Sequence, residues 1–372
     1  MQMYKPVKSF KLRPGLYLEN GRVMHEGEEF CSIGVNYFGA FVNELVTPQE
    51  KEIQRVFKQL KDNGIRYFRA NWRLFWPVDY AQWADKEDEY FAAMDRVVAL
   101  AEQNDLGIIC SFFWHLRGIS DYYCEPACAW GDRNSRTRKY MLDYMKKVIG
   151  RYKESPAIYM WEFSNEFNLT IDLPNRRELR AEQRQLPQLG VRLLQDDRDD
   201  FFTEFATPLL EDFGRLCREF DPYDRLITSG NGEPRPTQYA QRMYDLWPDR
   251  PDSRREMAKA LLWHNPDPLD CVSIHSYDLL ERFPGSESYE GLFTAFMEES
   301  AKLNKALFIG EFHGLQLDKA KATIDAIVKT RVPLSAAWAI GRVEYTVDSE
   351  PETRDALLKY IKDANAKLSA KG

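Results

Sequence analysis

Residues 135–164, SRTRKYMLDYMKKVIGRYKESPAIYMWEFS, carry the pattern that decides the fold. Met141, Tyr144, Met145, Val148, Ile149 and Tyr152 recur at three- and four-residue intervals and predict an amphipathic helix near 135–153. After the polar break KESP comes AIYMWEFS at 157–164, an apolar run too short for a helix and read as a buried strand. The same unit recurs in both directions. Toward the N-terminus lie the strands LGIICSFFW (106–114), IRYFRANW (65–72) and CSIGVNYF (31–38), with helices around 87–104 and along the stripe Ile53, Val56, Phe57, Leu60. Toward the C-terminus the strands RLITSG (225–230), DCVSIHS (270–276), ALFIGE (306–311) and LSAAWAI (334–340) alternate with helical patterns near 200–220, up to 263, 288–304, 318–330 and 352–367.

Apolar strands separated by helices imply a parallel α/β sheet covered on its outside, and eight such units imply a (β/α)8 TIM barrel. The rival, an open doubly wound sheet, normally shows a Gly-rich phosphate loop after its first strand, and GVNYFGAF at 34–41 is not one. LYLENGRVMHEGEEF at 16–30 reads as an N-terminal hairpin turned at Asn20-Gly21. Two connections are too long for plain loops, 167–199 after strand 4 and 231–268 after strand 5, and such insertions usually wall a cleft. The expectation is one catalytic domain over 1–372.

Composition narrows the function. Lys and Arg number 51 against 58 Asp and Glu, a net charge of −7 with no basic run, which argues against nucleic acid as a partner. No apolar run approaches the length of a membrane span. Of the six cysteines only Cys124 and Cys128 are close in sequence, in a loop, and either a local disulfide or two free thiols fits them. No apolar leader follows the first basic residues, so an exported protein lacking its leader and a cytoplasmic protein both remain open.

In a barrel of this kind the chemistry sits at the C-terminal strand ends. Those ends hold Arg69 and Trp72 on strand 2, Trp114 and His115 on strand 3, and Asn165 and Glu166 on strand 4. They continue with Asn231 on strand 5, His275 and Tyr277 on strand 6, Glu311 followed by His313 on strand 7, and Trp338 on strand 8. Two carboxylates across a barrel mouth ringed by aromatics suit glycosidic bond cleavage, one protonating the leaving oxygen and the other attacking the anomeric carbon or activating water. Indole faces pack on sugar rings, and amides bind hydroxyls.

The chain resembles glycoside hydrolase family 5 and the wider clan A of retaining (β/α)8 glycosidases, of cellulase and mannanase type. The resemblance runs from GVNYF at 34–38 to AAWAIG at 336–341 and is strongest in MWEFSNEF (160–167) and FIGEFHG (308–314). It implies Glu166 as general acid/base and Glu311 as nucleophile. It also implies matching places for Arg69, His115, His275 with Tyr277, and Trp338. On that reading Arg69 and the Tyr277 hydroxyl hold the Glu311 charge, while Glu166 needs a raised pKa. Asn165 would meet the sugar 2-hydroxyl, Trp338 would floor the site, and the two carboxyls would stand about 5–5.5 Å apart.

Glu162 competes with Glu166 as the acid, but strand alternation points it into the barrel, toward an internal ion pair with an arginine. Trp72, Trp76, Trp114 and Trp130 lie near loops and are divided between cleft and core. A metal-dependent barrel hydrolase needs a His-x-His on strand 1, which none of the five histidines supplies, so no metal is expected. A non-catalytic glycan-binding barrel would be expected to lack one carboxylate, yet both are present. No nucleotide fingerprint is found, so no cofactor is expected. The substrate expected is a β-linked glycan of mannan or glucan type, with exo action on short oligosaccharides or glycoconjugates as the alternative.

Overall fold

The computed structural model describes residues 4–46, 48, 50–183, 186–278, 283, 285–341 and 351–370. Leu16–Glu19 (β1) and Arg22–His25 (β2) form the expected hairpin, extended by Glu28–Glu29 (β3). Glu19 pairs with Arg22 across the turn, where Asn20 and Gly21 take φ of 52° and 75°, the paired positive φ of a type I′ turn. Leu16, Val23 and Phe30 pack with Tyr67, Ile109, Tyr159 and Leu226, so the hairpin plugs the N-terminal end of the barrel.

The barrel strands are Ser32–Asn36 (β4), Tyr67–Asn71 (β5), Gly107–Phe113 (β6), Ile158–Ser164 (β7), Leu226–Thr228 (β8), Cys271–Ser276 (β9), Ala306–His313 (β10) and Leu334–Trp338 (β11). They run parallel in the order β8-β7-β6-β5-β4-β11-β10-β9. With only three residues in β8, the seam to β9 uses side chains in place of a full ladder. The Asp270 backbone N–H donates to the Ile227 carbonyl at 2.9 Å, and the Ile227 N–H donates to Asp270 Oδ2 at 2.8 Å. Asn265 Oδ1 accepts from Ser229 Oγ at 2.7 Å on one strand end and from the Ser273 N–H at 3.3 Å on the other.

The outer helices follow the apolar stripes. They are Glu50–Asp62, Glu87–Gln103, Arg136–Tyr152, Thr203–Phe220, Arg254–His264, Tyr289–Lys302, Leu317–Thr330 and Pro351–Ser369. Ser135 caps the third by accepting from the Arg138 N–H at 2.9 Å, and Met141, Met145, Val148, Ile149 and Tyr152 are fully buried beneath it. Short helices at Pro77–Trp83 and Leu116–Tyr122 were not legible, because neither is long enough to repeat a stripe.

The charges of the first insertion turn inward rather than to solvent. Arg180 pairs with Asp197 at 2.9 Å and with the buried Asp200, while Arg192 pairs with the buried Asp199. Arg176 reaches Asp245 at 2.6 Å and so ties the first insertion to the second. Cys124 and Cys128 are exposed, and both are free thiols in this structure.

Candidate active site

Arg69 organises the barrel mouth. Lying on β5, its side chain is fully buried and every nitrogen donates. Nε meets Glu162 Oε1 and Oε2 at 2.8 and 2.9 Å, and Nη1 meets Glu311 Oε1 at 2.8 Å and Asn36 Oδ1 at 3.1 Å. Nη2 meets Asn165 Oδ1 at 2.9 Å, and the Trp114 ring covers the guanidinium at 4.4 Å. Burial opposes its charge, but Glu162 and Glu311 outweigh burial and raise its pKa. Glu162 therefore has the internal ion pair that strand alternation suggested for it.

A bulge delivers Glu311 to this cation. The register of β10 on β9 passes from Ile309 opposite Ile274 to Glu311 opposite His275, skipping Gly310. A Cβ at residue 310 would stand 2.7 Å from His275 Nε2, so the bulge requires glycine. Glu311 Oε2 accepts from the Tyr277 hydroxyl at 2.5 Å, and His275 Nδ1 lies 3.6 Å from the same oxygen. Burial and the neighbouring Glu311 charge raise the Tyr277 pKa, keeping the phenol a donor.

Glu166 takes the left-handed conformation, φ 50° and ψ 27°, a backbone state that costs a non-glycine residue about 1–3 kcal/mol and clusters at functional sites. Its N–H donates to the Gly230 carbonyl at 2.9 Å. Gly230 itself has φ 72°, and a Cβ there would fall 1.8 Å from the Ser164 carbonyl, so the close crossing of β7 and the β8 end depends on glycine. The Glu166 carboxylate is one-third exposed and accepts from His275 Nδ1 at 3.0 Å. One ligating atom each of Glu166, His275 and Glu311 lie within 4.8 Å of one another. Both Glu311 oxygens and His275 Nδ1 are engaged with protein partners, and Arg69 stands alongside.

Glu166 overturns one expectation. Burial pushes its carboxyl up, but the hydrogen bond and charge of His275, with Arg69 behind, prevail, and its pKa is lowered rather than raised. Two residues expected to line the cleft also do not. Arg69 and Asn71 face the barrel interior, so period-two alternation sends Trp72 to the helix side, fully buried against Phe41. Asn231 is fully buried as well. Its Nδ2 donates to the His264 carbonyl at 2.7 Å and its Oδ1 accepts from the Asn168 N–H at 3.1 Å, joining the roots of the two insertions. Trp130, left open between cleft and core, is fully buried and belongs to the core.

The remaining residues gather around the mouth. Trp338, Phe38 and Trp114 form an aromatic group with centroids 4.8–6.2 Å apart. His115 stacks on Phe75 at 4.8 Å and stands 5.0 Å from Trp76. Burial lowers its pKa to about 4, so the ring is neutral at neutral pH, and Nδ1 donates to the Phe75 carbonyl at 3.2 Å. His313 packs edge-on to Tyr277 and lies 3.4 Å from Asp278, which Lys319 holds at 2.6 Å. The sequence reading did not single out Asn36, Phe38 or Phe75. The signal for Asn36 is a lone amide ending the run SIGV, and the two phenylalanines carry none distinct from core residues.

Comparisons with known proteins agree with this architecture. The family model of cellulase, glycosyl hydrolase family 5, matches residues 25–342. Probable mannan endo-1,4-beta-mannosidase F of Aspergillus flavus is 26% identical over 164 residues, 38% of this chain and 35% of that protein. The match thus spans about a third of the curated relative's length. Probable mannan endo-1,4-beta-mannosidase A of Aspergillus niger is 33% identical over 79 residues, 20% of this chain and 21% of that protein. Among solved structures, the endo-1,4-beta-mannanase from Rhizomucor miehei aligns with a TM-score of 0.66 at 14% identity, covering 96% of this chain and 100% of that one. A beta-glucanase from Saccharophagus degradans in complex with cellotetraose aligns with a TM-score of 0.61 at 16% identity, covering 99% and 97%. These two share its fold. With the family model spanning the barrel from the N-terminal hairpin to the end of the eighth strand, the chain belongs to the cellulase family, glycosyl hydrolase family 5.

Proposed function

We propose that this protein hydrolyses β-glycosidic bonds of a mannan- or glucan-type glycan by double displacement, with Glu311 as nucleophile and Glu166 as acid/base. The observation that carries the reading is that one oxygen of Glu166 lies within 4.8 Å of one oxygen of Glu311. Direct attack by one carboxylate needs the two to stand about 5–5.5 Å apart, whereas a water between them needs about 6.5–9.5 Å. Glu311 attacks the anomeric carbon while Glu166 gives its proton to the departing oxygen. Glu166 then takes a proton from water as that water displaces Glu311.

The surrounding residues divide the work. Arg69 and Tyr277 hold Glu311 in position with 2.8 and 2.5 Å hydrogen bonds. Asn165 gives its oxygen to Arg69, which leaves its Nδ2 for the sugar 2-hydroxyl. His115, donating through Nδ1, presents Nε2 as an acceptor for a hydroxyl. Trp338 with Trp114 and Phe38 offers ring faces to the sugar, and His313 with Asp278 extends the polar side of the mouth. A polymer of this kind is met outside the cell, which favours an exported enzyme. Among the described residues no helix is long and apolar enough to cross a membrane.

Reducing-end release from soluble β-mannans, β-glucans and xylans tests the assignment. Cleavage of a mannan or β-glucan is expected. Binding of the same polymers without cleavage, by folded protein, would make it a glycan-binding barrel instead.

The lowered Glu166 pKa gives a second test. Glu166 must be protonated to donate, so activity falls as pH rises through its pKa. Because His275 lowers that pKa, His275→Asn removes the charge, and burial then moves it upward. The alkaline limb of kcat/KM is expected to move to higher pH. A limb that stays in place would contradict control of Glu166 by His275.

A further inference from the structure

Arg73 is only 9% exposed, and no carboxylate pairs with it among the described residues. Its guanidinium carbon instead lies 4.5–4.9 Å from the ring centroids of Tyr80, Tyr90, Tyr140 and Tyr144, and its Nε has no hydrogen-bond partner. Ring faces stabilise the desolvated cation, and the Tyr80 and Tyr90 hydroxyls accept hydrogen bonds from it. This cage forms the floor of a cavity of about 160 Å³ on the barrel flank, between the helices Pro77–Trp83, Glu87–Gln103 and Arg136–Tyr152. Half-buried Trp83 and Tyr122 form its outer wall. At the rim Lys147 pairs with Glu87 at 2.5 Å and with Asp143 at 2.9 Å.

We propose that this cavity is a second carbohydrate site, separate from the catalytic one, that takes a single neutral pyranose unit of a glycan chain. The proposal rests on the glycan reading of the barrel mouth for its biological sense, but its chemistry is its own. Aromatic walls suit the apolar face of a sugar ring, and Lys147 supplies donors to its hydroxyls at the rim. The rim carboxylates supply acceptors from above. Charge selects against an anion: Arg73 and Lys147 are balanced by Glu87 and Asp143, so a carboxylate ligand loses at the rim what it gains at the floor. A neutral hydroxylated ring uses both signs. The cavity has room for one such ring, and none of its lining residues belongs to the Glu166–Glu311 centre. Residues 72–76 join the two places, since Arg73 floors the pocket while Phe75 and Trp76 stand beside His115. Occupancy would hold a polymer against the enzyme beside its cleft.

The test is calorimetric titration of the Glu311→Gln protein with β-1,4-mannotetraose and with cellotetraose, repeated with Trp83→Ala and with Tyr122→Ala added. Two binding events are expected, one of them weakened about tenfold or more by either rim substitution. In the otherwise native chain, Trp83→Ala is expected to leave kcat and KM on the tetraose unchanged and to raise KM on the polymer several-fold. Rim variants are used because Arg73 substitutions risk the fold. Loss of the cleft event with the Trp83-dependent event retained would refute the catalytic reading alone. Isotherms indifferent to both rim substitutions, or no binding outside the cleft, would overturn the second site.

Discussion

Glu311→Gln is expected to lower kcat by about 10⁴-fold or more, the scale seen when a nucleophile acting within a catalytic unit is removed. The amide is nearly isosteric and its oxygen can still accept from Arg69 at the place where Glu311 Oε1 does, so the fold should survive. What is lost is the negative oxygen that bonds the anomeric carbon. Glu166→Ala should behave differently. With a substrate whose leaving group needs no proton, the first displacement proceeds and the second stalls for lack of a base. Added azide, which needs no base, should then restore turnover and appear in the product as a glycosyl azide. Steady-state and burst kinetics on an activated aryl glycoside read both effects. More than about one per cent residual activity in Glu311→Gln would remove Glu311 from the nucleophile's role.

The second large effect concerns Arg69. Arg69→Leu is expected to destabilise the fold by about 3–5 kcal/mol, because it strands Glu162 and Glu311 in the barrel mouth without their shared cation. It also frees Asn36 and Asn165, each held by a nitrogen of the same guanidinium. Arg69→Lys should recover little, since one ammonium cannot reproduce five directed donors. Urea denaturation measures the loss, and adding Glu162→Leu to Arg69→Leu should recover part of it by removing one stranded charge. A change below about 1 kcal/mol for Arg69→Leu would mean that water already shares these carboxylates, contrary to the buried cluster described above.

How far the sequence could be read follows from these same residues. The helix Arg136–Tyr152 was legible because a stripe over four turns has few alternative explanations, and β7 because its apolar run stops abruptly at Asn165-Glu166. Strand ends located the mouth, yet they did not say which way each side chain faces. Trp72 and Asn231 are at strand ends and still point away, the first through alternation and the second through a buried tie between insertions. The bulge at Gly310 and the left-handed Glu166 depend on contacts with β9 and β8, which no local pattern records. The downward direction of the Glu166 pKa is hidden from the sequence for the same reason. It turns on a 3.0 Å contact with His275, a residue 109 positions away in the chain. The inward pairing of Arg180 and Arg192 likewise depends on Asp197, Asp199 and Asp200, which no helix or strand period marks out.

The stereochemistry of the released sugar tests the central claim most directly. Proton NMR of the first products from a β-linked oligosaccharide reads the configuration at the new reducing end before it equilibrates. Double displacement through Glu311 predicts the β-anomer first, with the α-anomer growing in only by mutarotation. An α-anomer formed first, at the rate of bond cleavage, would show that water attacks directly and would contradict a covalent role for Glu311.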